Sequence, residues 1–328
     1  MSDTSPDHFV GVDLGATKIL AAVYDMELNL QGKMKLSTKA DRGCKEVIDR
    51  ITRCVHEAID ECDLEPEQIC HVGVGVPAAV DPLEGRVIFA PNLNWRDEPL
   101  QKDLQSTLKL PVSIENDCNA STIGVYEREL DGKPESMLGI FIGTGIGGGI
   151  IINRELYSGF NRTAGEIGHT VLDLSGRKSK WGPHGTFETF SGRQSIYARL
   201  QEAVDAGKKT SLTELHGPNL ANLRSGDLRK AIKRGDELVR AVVHDAARYA
   251  GIVCGNMINL LNPEVIALGG GVIEALGKEM MPIIQKTTGE YTLPGVGEGI
   301  HLFASKLGDH AGIIGAAAVA RRAFARRT

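Results

Sequence analysis

Apolar residues near the start of the chain fall into two short β-rich runs, Phe9–Val12 and Ile19–Tyr24, around a tight polar link containing Gly15. Two such runs joined by a glycine-bearing turn predict a hairpin. A third strand is expected near Lys33–Ser37. Within Cys44–Cys62, Val47, Ile48, Ile51, Cys54, Val55 and Ala58 recur at helical spacing. His71–Pro77 and Val112–Ile114 read as short apolar strands, the second running into Glu115-Asn116-Asp117 and a helical Cys118–Leu130. The segment MLGIFIGTGIGGGIIINRELYSG then repeats the opening pattern of strand, glycine link and strand, which points to an ancient duplication. Helical patterns cover Phe190–Ala206 and Asp236–Leu261. A strand is expected at Val265–Leu268, helices at Val272–Lys278 and, rich in alanine, at Ala311–Arg327. The polar, turn-rich Gly207–Asp227 reads as an insertion or loop.

Composition narrows the class. A chain of 328 residues suits two domains of roughly 150 residues each. With 42% hydrophobic and 24% charged residues it lies in the globular range. The net charge is -5, and the one basic run, Arg321, Arg322, Arg326 and Arg327, is expected to decorate the exposed side of the last helix. No nucleic-acid surface is therefore expected. No apolar run approaches the roughly 20 residues of a membrane helix, and the polar first residues lack a signal core. Six scattered cysteines without a C-x-x-C pair read as reduced packing thiols of a cytoplasmic protein.

Four short motifs carry the chemistry. In Gly11-Val12-Asp13-Leu14-Gly15-Ala16-Thr17-Lys18 the glycine turn lets backbone N–H groups approach a phosphate, Thr17 adds a hydroxyl and Lys18 a cation. Asp13, at a strand end, can hold Mg²⁺. A merely polar hairpin turn has the same appearance, and no Walker P-loop is present. Gly143-Thr144-Gly145-Ile146-Gly147-Gly148-Gly149 contains a formal G-x-G-x-x-G, but a β-branched run follows where a dinucleotide motif opens a helix. A second phosphate-facing hairpin fits better. Glu115-Asn116-Asp117 lies at a strand-to-helix junction, where Asp117 can take a proton from an attacking hydroxyl; Asn and Asp are equally good helix caps. Thr163-Ala164-Gly165-Glu166-Ile167-Gly168-His169 brings a Glu and a His within reach of one polar ligand.

Taken together and in this order, these segments resemble the ROK family of sugar kinases over nearly the whole chain. The resemblance implies an α/β, two-domain actin-like ATPase (ribonuclease H-like) fold, each domain a mixed sheet flanked by helices with a cleft between. The expected domains are 8–120 plus 312–328, and 121–311. It further implies ATP-dependent phosphorylation of a hexose hydroxyl, glucose to glucose 6-phosphate above all, with ATP and Mg²⁺ as cofactors. Asp117 takes the catalytic base position. Asn92 in Pro91-Asn92-Leu93-Asn94-Trp95, Asn116, Glu166, His169 and Glu188 fall on the sugar. Asp13, Gly15, Thr17, Lys18, Gly143, Thr144, Gly145 and Gly147 fall on the phosphates, Asp13 also on the metal, and Gly269, Gly270 and Gly271 near the adenosine. Fructose, mannose or an N-acetylated hexosamine as acceptor, and polyphosphate as donor, remain alternatives. A homo-oligomer, with no nucleic-acid or membrane partner, is expected. The family also includes sugar-sensing transcriptional regulators, which carry a helix-turn-helix ahead of the core; only eight residues precede the first strand here.

One departure from the family pattern is large. After G-E-I-G-H the family commonly has C-x-C-G-x-x-G-C-x-E, whose cysteines bind structural zinc with the histidine. Here Ser179, Trp181 and Thr186 stand at the cysteine positions, while Gly182, Gly185 and Glu188 keep the frame. Ser, Trp and Thr supply no thiolate, so zinc is not expected. An aromatic plug around Trp181, with Phe187 and Pro183, is expected to hold the loop instead. A second departure, Ala78 where the family has Gly after Pro, reads as minor.

Overall fold

The computed structural model describes residues 6–180 and 182–326; Trp181, on which the expected aromatic plug turns, and Arg327 lie outside the described residues. In chain order the elements are β1 (His8–Leu14), β2 (Lys18–Tyr24), β3 (Leu30–Ser37), α1 (Cys44–Asp60), β4 (Ile69–Val76), β5 (Ala79–Asp81), β6 (Arg86–Ala90), β7 (Trp95–Glu98), α2 (Leu100–Leu108), β8 (Val112–Asn116) and α3 (Asp117–Leu130). There follow β9 (Ser136–Ile142), β10 (Ile146–Ile152), β11 (Glu155–Leu156), α4 (Phe187–Ser191), α5 (Arg193–Asp205), α6 (Leu212–His216), α7 (Ser225–Lys233), α8 (Glu237–Leu261), β12 (Val265–Gly269), α9 (Gly271–Tyr291), β13 (His301–Ala304) and α10 (His310–Ala325). Among the described residues no helix is long and apolar enough to cross a membrane.

Two five-stranded sheets have the orders β3-β2-β1-β4-β8 and β11-β10-β9-β12-β13. Each therefore places its first strand at the centre, its hairpin partners on one side and its crossover strands on the other, which agrees with the repeat seen in the sequence. In the first sheet β1 runs antiparallel to β2 and parallel to β4, so the sheet is mixed. In the second, β12 runs parallel to both β9 and β13, while β10 and β11 are antiparallel. A third, small sheet of β5, β6 and β7 was not legible as strands in the sequence.

The chain divides into two compact units, Met1–Lys133 with Gly149–Gly165 and Asp309–Thr328, and Pro134–Gly148 with Glu166–Gly308. The expected boundary at 120/121 would cut through α3. That helix stays with the first unit because it packs along α10: Gly315 of α10 lies so close to α3 that a Cβ there would stand under 3.0 Å from the Ala120 carbonyl oxygen. At that position only glycine permits such an approach of two backbones, and the small residues of AGIIGAAAVA keep the rest of α10 narrow. The core of the first unit gathers the apolar positions of β1, β2, β4 and β8 with Val47, Ile51, Cys54, Val55 and Ala58 of α1.

Three further expectations change. The helix expected at Val272–Lys278 continues to Tyr291 through Pro282. The single helix expected at Phe190–Ala206 is broken at Gly192, whose extended backbone ends α4 and starts α5. The tail arginines are not mere decoration. Arg321 and Arg322 both hold the Glu127 carboxylate, at 2.9 and 2.8 Å, and Arg326 lies 3.6 Å from Glu155. None of the six cysteines is in a disulfide, and burial pushes the Cys54 thiol up to about 11 and that of Cys254 to about 12, as inert packing residues require.

Candidate active site

In the first unit the site residues gather at the ends of parallel strands. The β8 strand delivers Glu115, Asn116 and Asp117 to the start of α3. Asn116 is the N-cap: its Oδ1 accepts the N–H groups of Cys118 (2.9 Å) and Asn119 (3.0 Å). Its Nδ2 donates to the Ala78 carbonyl (3.0 Å) and to Asp117 Oδ1 (3.2 Å). Both amide hydrogens and both acceptor directions are thereby engaged. Besides capping α3, the Asn116 side chain therefore helps to aim Asp117. The Asp117 Oδ1 also accepts the Cys118 N–H at 2.9 Å, so the carboxylate is held from two sides. Ala78 contributes through its backbone carbonyl, which Gly or Ala would present alike. Behind them Glu115 is buried, accepts from Asn116 N and Asn119 Nδ2, and is pushed up by burial, with those hydrogen bonds opposing.

The first glycine hairpin closes where Gly15 N–H meets the Lys18 carbonyl (2.8 Å). Fully buried Thr38, which the sequence reading missed, donates its hydroxyl to Gly15 O (2.6 Å) and its N–H to Thr17 O (3.0 Å). Thr17 itself is exposed at the tip. Asp13, one residue before the end of β1, is pushed up from 3.8 to about 6 by burial; Lys18 opposes the shift and Asp309 adds to it. The Lys18 ammonium is ion-paired with Asp309, so the cation read from the motif is already matched by a carboxylate from the far end of the chain. Asn92 stands exposed on the turn between β6 and β7.

In the second unit the β9–β10 turn is Gly143-Thr144-Gly145, closed by Gly143 N–H to Gly145 O at 2.9 Å. Glu188, the second residue of α4, places Oε2 against this turn and accepts the Ile146 N–H at 2.9 Å. A side chain at Gly145 would collide with that carboxylate. Gly147 lies within β10 rather than in the turn. Glu166 and His169 flank a short 3-10 turn with Nε2 and Oε2 3.9 Å apart, and both are solvent-accessible. The segment at the lost cysteine positions forms its own small ladder, with bridges Val171–Thr186 and Lys178–His184 and Ser179 N–H on Pro183 O at 3.2 Å. Ser179 and Thr186 are buried, so the loop is held by backbone pairing on both flanks.

Gly269-Gly270-Gly271 carries β12 into α9. Gly270, at φ 86°, adopts a conformation that favours glycine, and any Cβ there would strike the Ile142 backbone. Gly271 opens onto a cleft of about 610 Å³ within this unit, lined also by Thr144, Arg193, Tyr197, Arg224, Arg229 and Glu274. Sequence reading missed this cleft. Its wall includes Leu223, Arg224, Ser225 and Gly226 from the segment read as a loop, which instead folds into α6 and the start of α7. The available signal was Asp227, which accepts the Arg224 N–H and so opens α7.

Known proteins share this fold. The ROK family model matches residues 9–323. A glucokinase of Halalkalibacterium halodurans is 32% identical over 311 residues, covering 94% of this chain and 93% of its own. The crystal structure of a ROK family glucokinase from Streptomyces griseus, in complex with glucose and AMPPNP, superposes with a TM-score of 0.83 at 30% identity, covering 96% of this chain and 99% of its own. A xylose repressor of Caldicellulosiruptor bescii is 26% identical over 314 residues, covering 94% of this chain and 77% of its own. The fold is thus the actin-like ATPase fold of the ROK sugar kinases. From Phe9 in β1 to Ala323 in α10, the chain belongs to the ROK family.

Proposed function

We propose that this protein transfers the γ-phosphoryl group of ATP to a hexose hydroxyl, with glucose the first choice of acceptor. The observation that carries the reading is the Asp117 carboxylate, aimed by Asn116 and the Cys118 N–H at the end of β8. The hexose oxygen attacks the γ-phosphorus, the bond to the bridging oxygen breaks, ADP leaves, and Asp117 takes the hydroxyl proton. Asn92, Glu166, His169 and Glu188 hold the sugar, Glu188 through the oxygen that does not bind Ile146. The two glycine turns take the phosphates and the cleft beside Gly271 takes the adenosine. A binding protein or repressor needs none of the proton chemistry, and the xylose repressors among the relatives make that the competing reading. A screen of glucose, fructose, mannose and N-acetylated hexosamines against ATP and polyphosphate tests the proposal. Phosphorylation of none of them would sink it.

Hard oxygen donors suit Mg²⁺, and the buried Asp13 carboxylate, with Asp309 close enough to raise its proton affinity further, fits such an ion. When bound, Mg²⁺ would neutralise phosphate charge. Asp13 also makes a testable pH signature. Its folded pKa lies above its ordinary value, so the folded protein binds the extra proton and its contribution to stability is full below about pH 4. That contribution is lost as pH rises through about 6. Asp13→Asn removes the loss. It is expected to raise stability above pH 7 by up to about 3 kcal/mol, to leave it unchanged near pH 4, and to abolish Mg²⁺-dependent turnover. Denaturation curves at both pH values check this; an equal effect at both would show that burial does not hold the proton there.

Zinc is expected to be absent. Elemental analysis should find no stoichiometric zinc, and activity should survive a strong chelator once Mg²⁺ is restored. One zinc per chain would overturn the reading of Ser179 and Thr186 as metal-free replacements.

A further inference from the structure

Three arginines border the cleft in the second unit, Arg193, Arg224 and Arg229, against one carboxylate, Glu274. Among the described residues none of the three forms an ion pair, whereas Arg50, Arg53, Arg177, Arg199, Arg240, Arg321 and Arg322 all do. Like charges gathered around a cavity repel each other, and a polyanion in the cavity relieves that repulsion.

Arg193 has the most defined position. It is the first residue of α5, and its N–H donates to the Gly143 carbonyl at 3.0 Å while the next N–H, of Gln194, points to Thr144 O at 3.3 Å. The start of α5 is thus fastened to the glycine turn. The Arg193 guanidinium donates through Nη2 to the Thr144 hydroxyl. Its other terminal nitrogen lies 4.0 Å from where a Cβ would stand on Gly271. One side chain therefore joins the β9–β10 turn to the cleft wall. A guanidinium has five N–H donors, so one bond to Thr144 leaves the rest of the fork for a ligand. Lys18, the cation expected from sequence, has its charge matched by the Asp309 carboxylate, whereas the partner of Arg193 is an uncharged hydroxyl.

We propose that Arg193 binds the phosphate chain of the nucleotide donor directly, with Thr144 oriented by the same side chain. The proposal rests on the reading of the cleft as the nucleotide site. Guanidinium and phosphate match in a two-point geometry that an ammonium lacks, so Arg193→Lys keeps the charge and loses the fork.

Calorimetric titration of the full chain and its Arg193→Ala and Arg193→Lys variants with adenosine, ADP and a non-hydrolysable ATP analogue tests it, alongside steady-state kinetics. Arg193→Ala is expected to weaken ADP and the analogue by about 10-fold to 100-fold. Adenosine affinity and the hexose KM should stay within about twofold, since neither ligand carries a phosphate. Arg193→Lys should recover part of the loss. Equal weakening of adenosine and ADP would make Arg193 a strut of the cleft and overturn the proposal, as would unchanged ADP affinity. Failure of the wild-type protein to bind any of the three would remove the nucleotide reading and this role with it. Normal wild-type binding with an indifferent Arg193→Ala would remove this role alone.

Discussion

Replacing Asp117 with Asn is expected to lower kcat by about 10²–10⁴-fold and to leave hexose affinity within a few-fold. The amide has nearly the size of the carboxylate, and its oxygen can still accept from Asn116 Nδ2 and the Cys118 N–H, which hold the native side chain. The start of α3 and its Asn116 cap therefore survive. What disappears is an oxygen able to receive the hydroxyl proton as the new O–P bond forms. Because this interaction is made only as the reaction proceeds, the loss belongs in kcat and not in sugar binding. Steady-state kinetics with calorimetric hexose titration separate the two. Turnover within a few-fold of wild type would take Asp117 out of the base role and shift weight toward the regulator-like reading. An equal fall in affinity and rate would mean that the substitution had disturbed the junction itself.

The largest stability effect is expected from Gly73→Ala and Gly315→Ala. A Cβ on Gly73, in β4, would stand under 3.0 Å from the Ala316 carbonyl oxygen of α10, and one on Gly315 equally close to the Ala120 carbonyl oxygen of α3. In both cases the obstacle is backbone inside a packed helix, which cannot turn aside as a flexible side chain does. Relief requires α10 to move off the sheet or off α3, opening gaps elsewhere in the same interface. Overpacking typically costs about 1–3 kcal/mol, and rigid obstacles on both partners favour the upper end. Against a net stability of about 5–15 kcal/mol that is a substantial share. Gly289→Ala is the control, because a Cβ there meets no atom within 4 Å and lies in the last turns of α9. It should be neutral or stabilising by up to about 1 kcal/mol. Urea denaturation of the three variants decides the matter. Midpoints for Gly73→Ala and Gly315→Ala equal to that of Gly289→Ala would show that α10 shifts freely.

The chain's own pattern was enough for the architecture wherever a rule acts over a few neighbours. Alternation around Gly15 and Gly145 marked both hairpins, and the 3.6-residue recurrence marked α1, α3 and α8, because period and turn chemistry are local properties. The motif residues could be named for the same reason: Asp117, Glu188 and the glycines stand at fixed distances along the chain. Local pattern failed where an element is short or half exposed. The small sheet of β5, β6 and β7 alternates over too few residues to register. In α6 and the opening of α7, polar residues outnumber the apolar ones that anchor them.

Which partners each named residue has was decided only by tertiary contacts. That Asn116 caps α3 while its amide also reaches the Ala78 carbonyl, 38 positions away, is visible only in the fold. Lys18 reads as a phosphate cation, and the fold adds a carboxylate partner, Asp309, 291 positions along. Asp13 has an ordinary sequence context, and its raised proton affinity comes from burial under elements from both ends of the chain. Arg193 carries no motif at all and gains meaning from Thr144 and Gly271, which reach it through separate strands of the second sheet. The physical reason is common to all four. Hydrogen-bond valence, charge pairing and desolvation depend on which atoms lie within a few ångströms, and that neighbourhood is assembled from residues far apart in the chain.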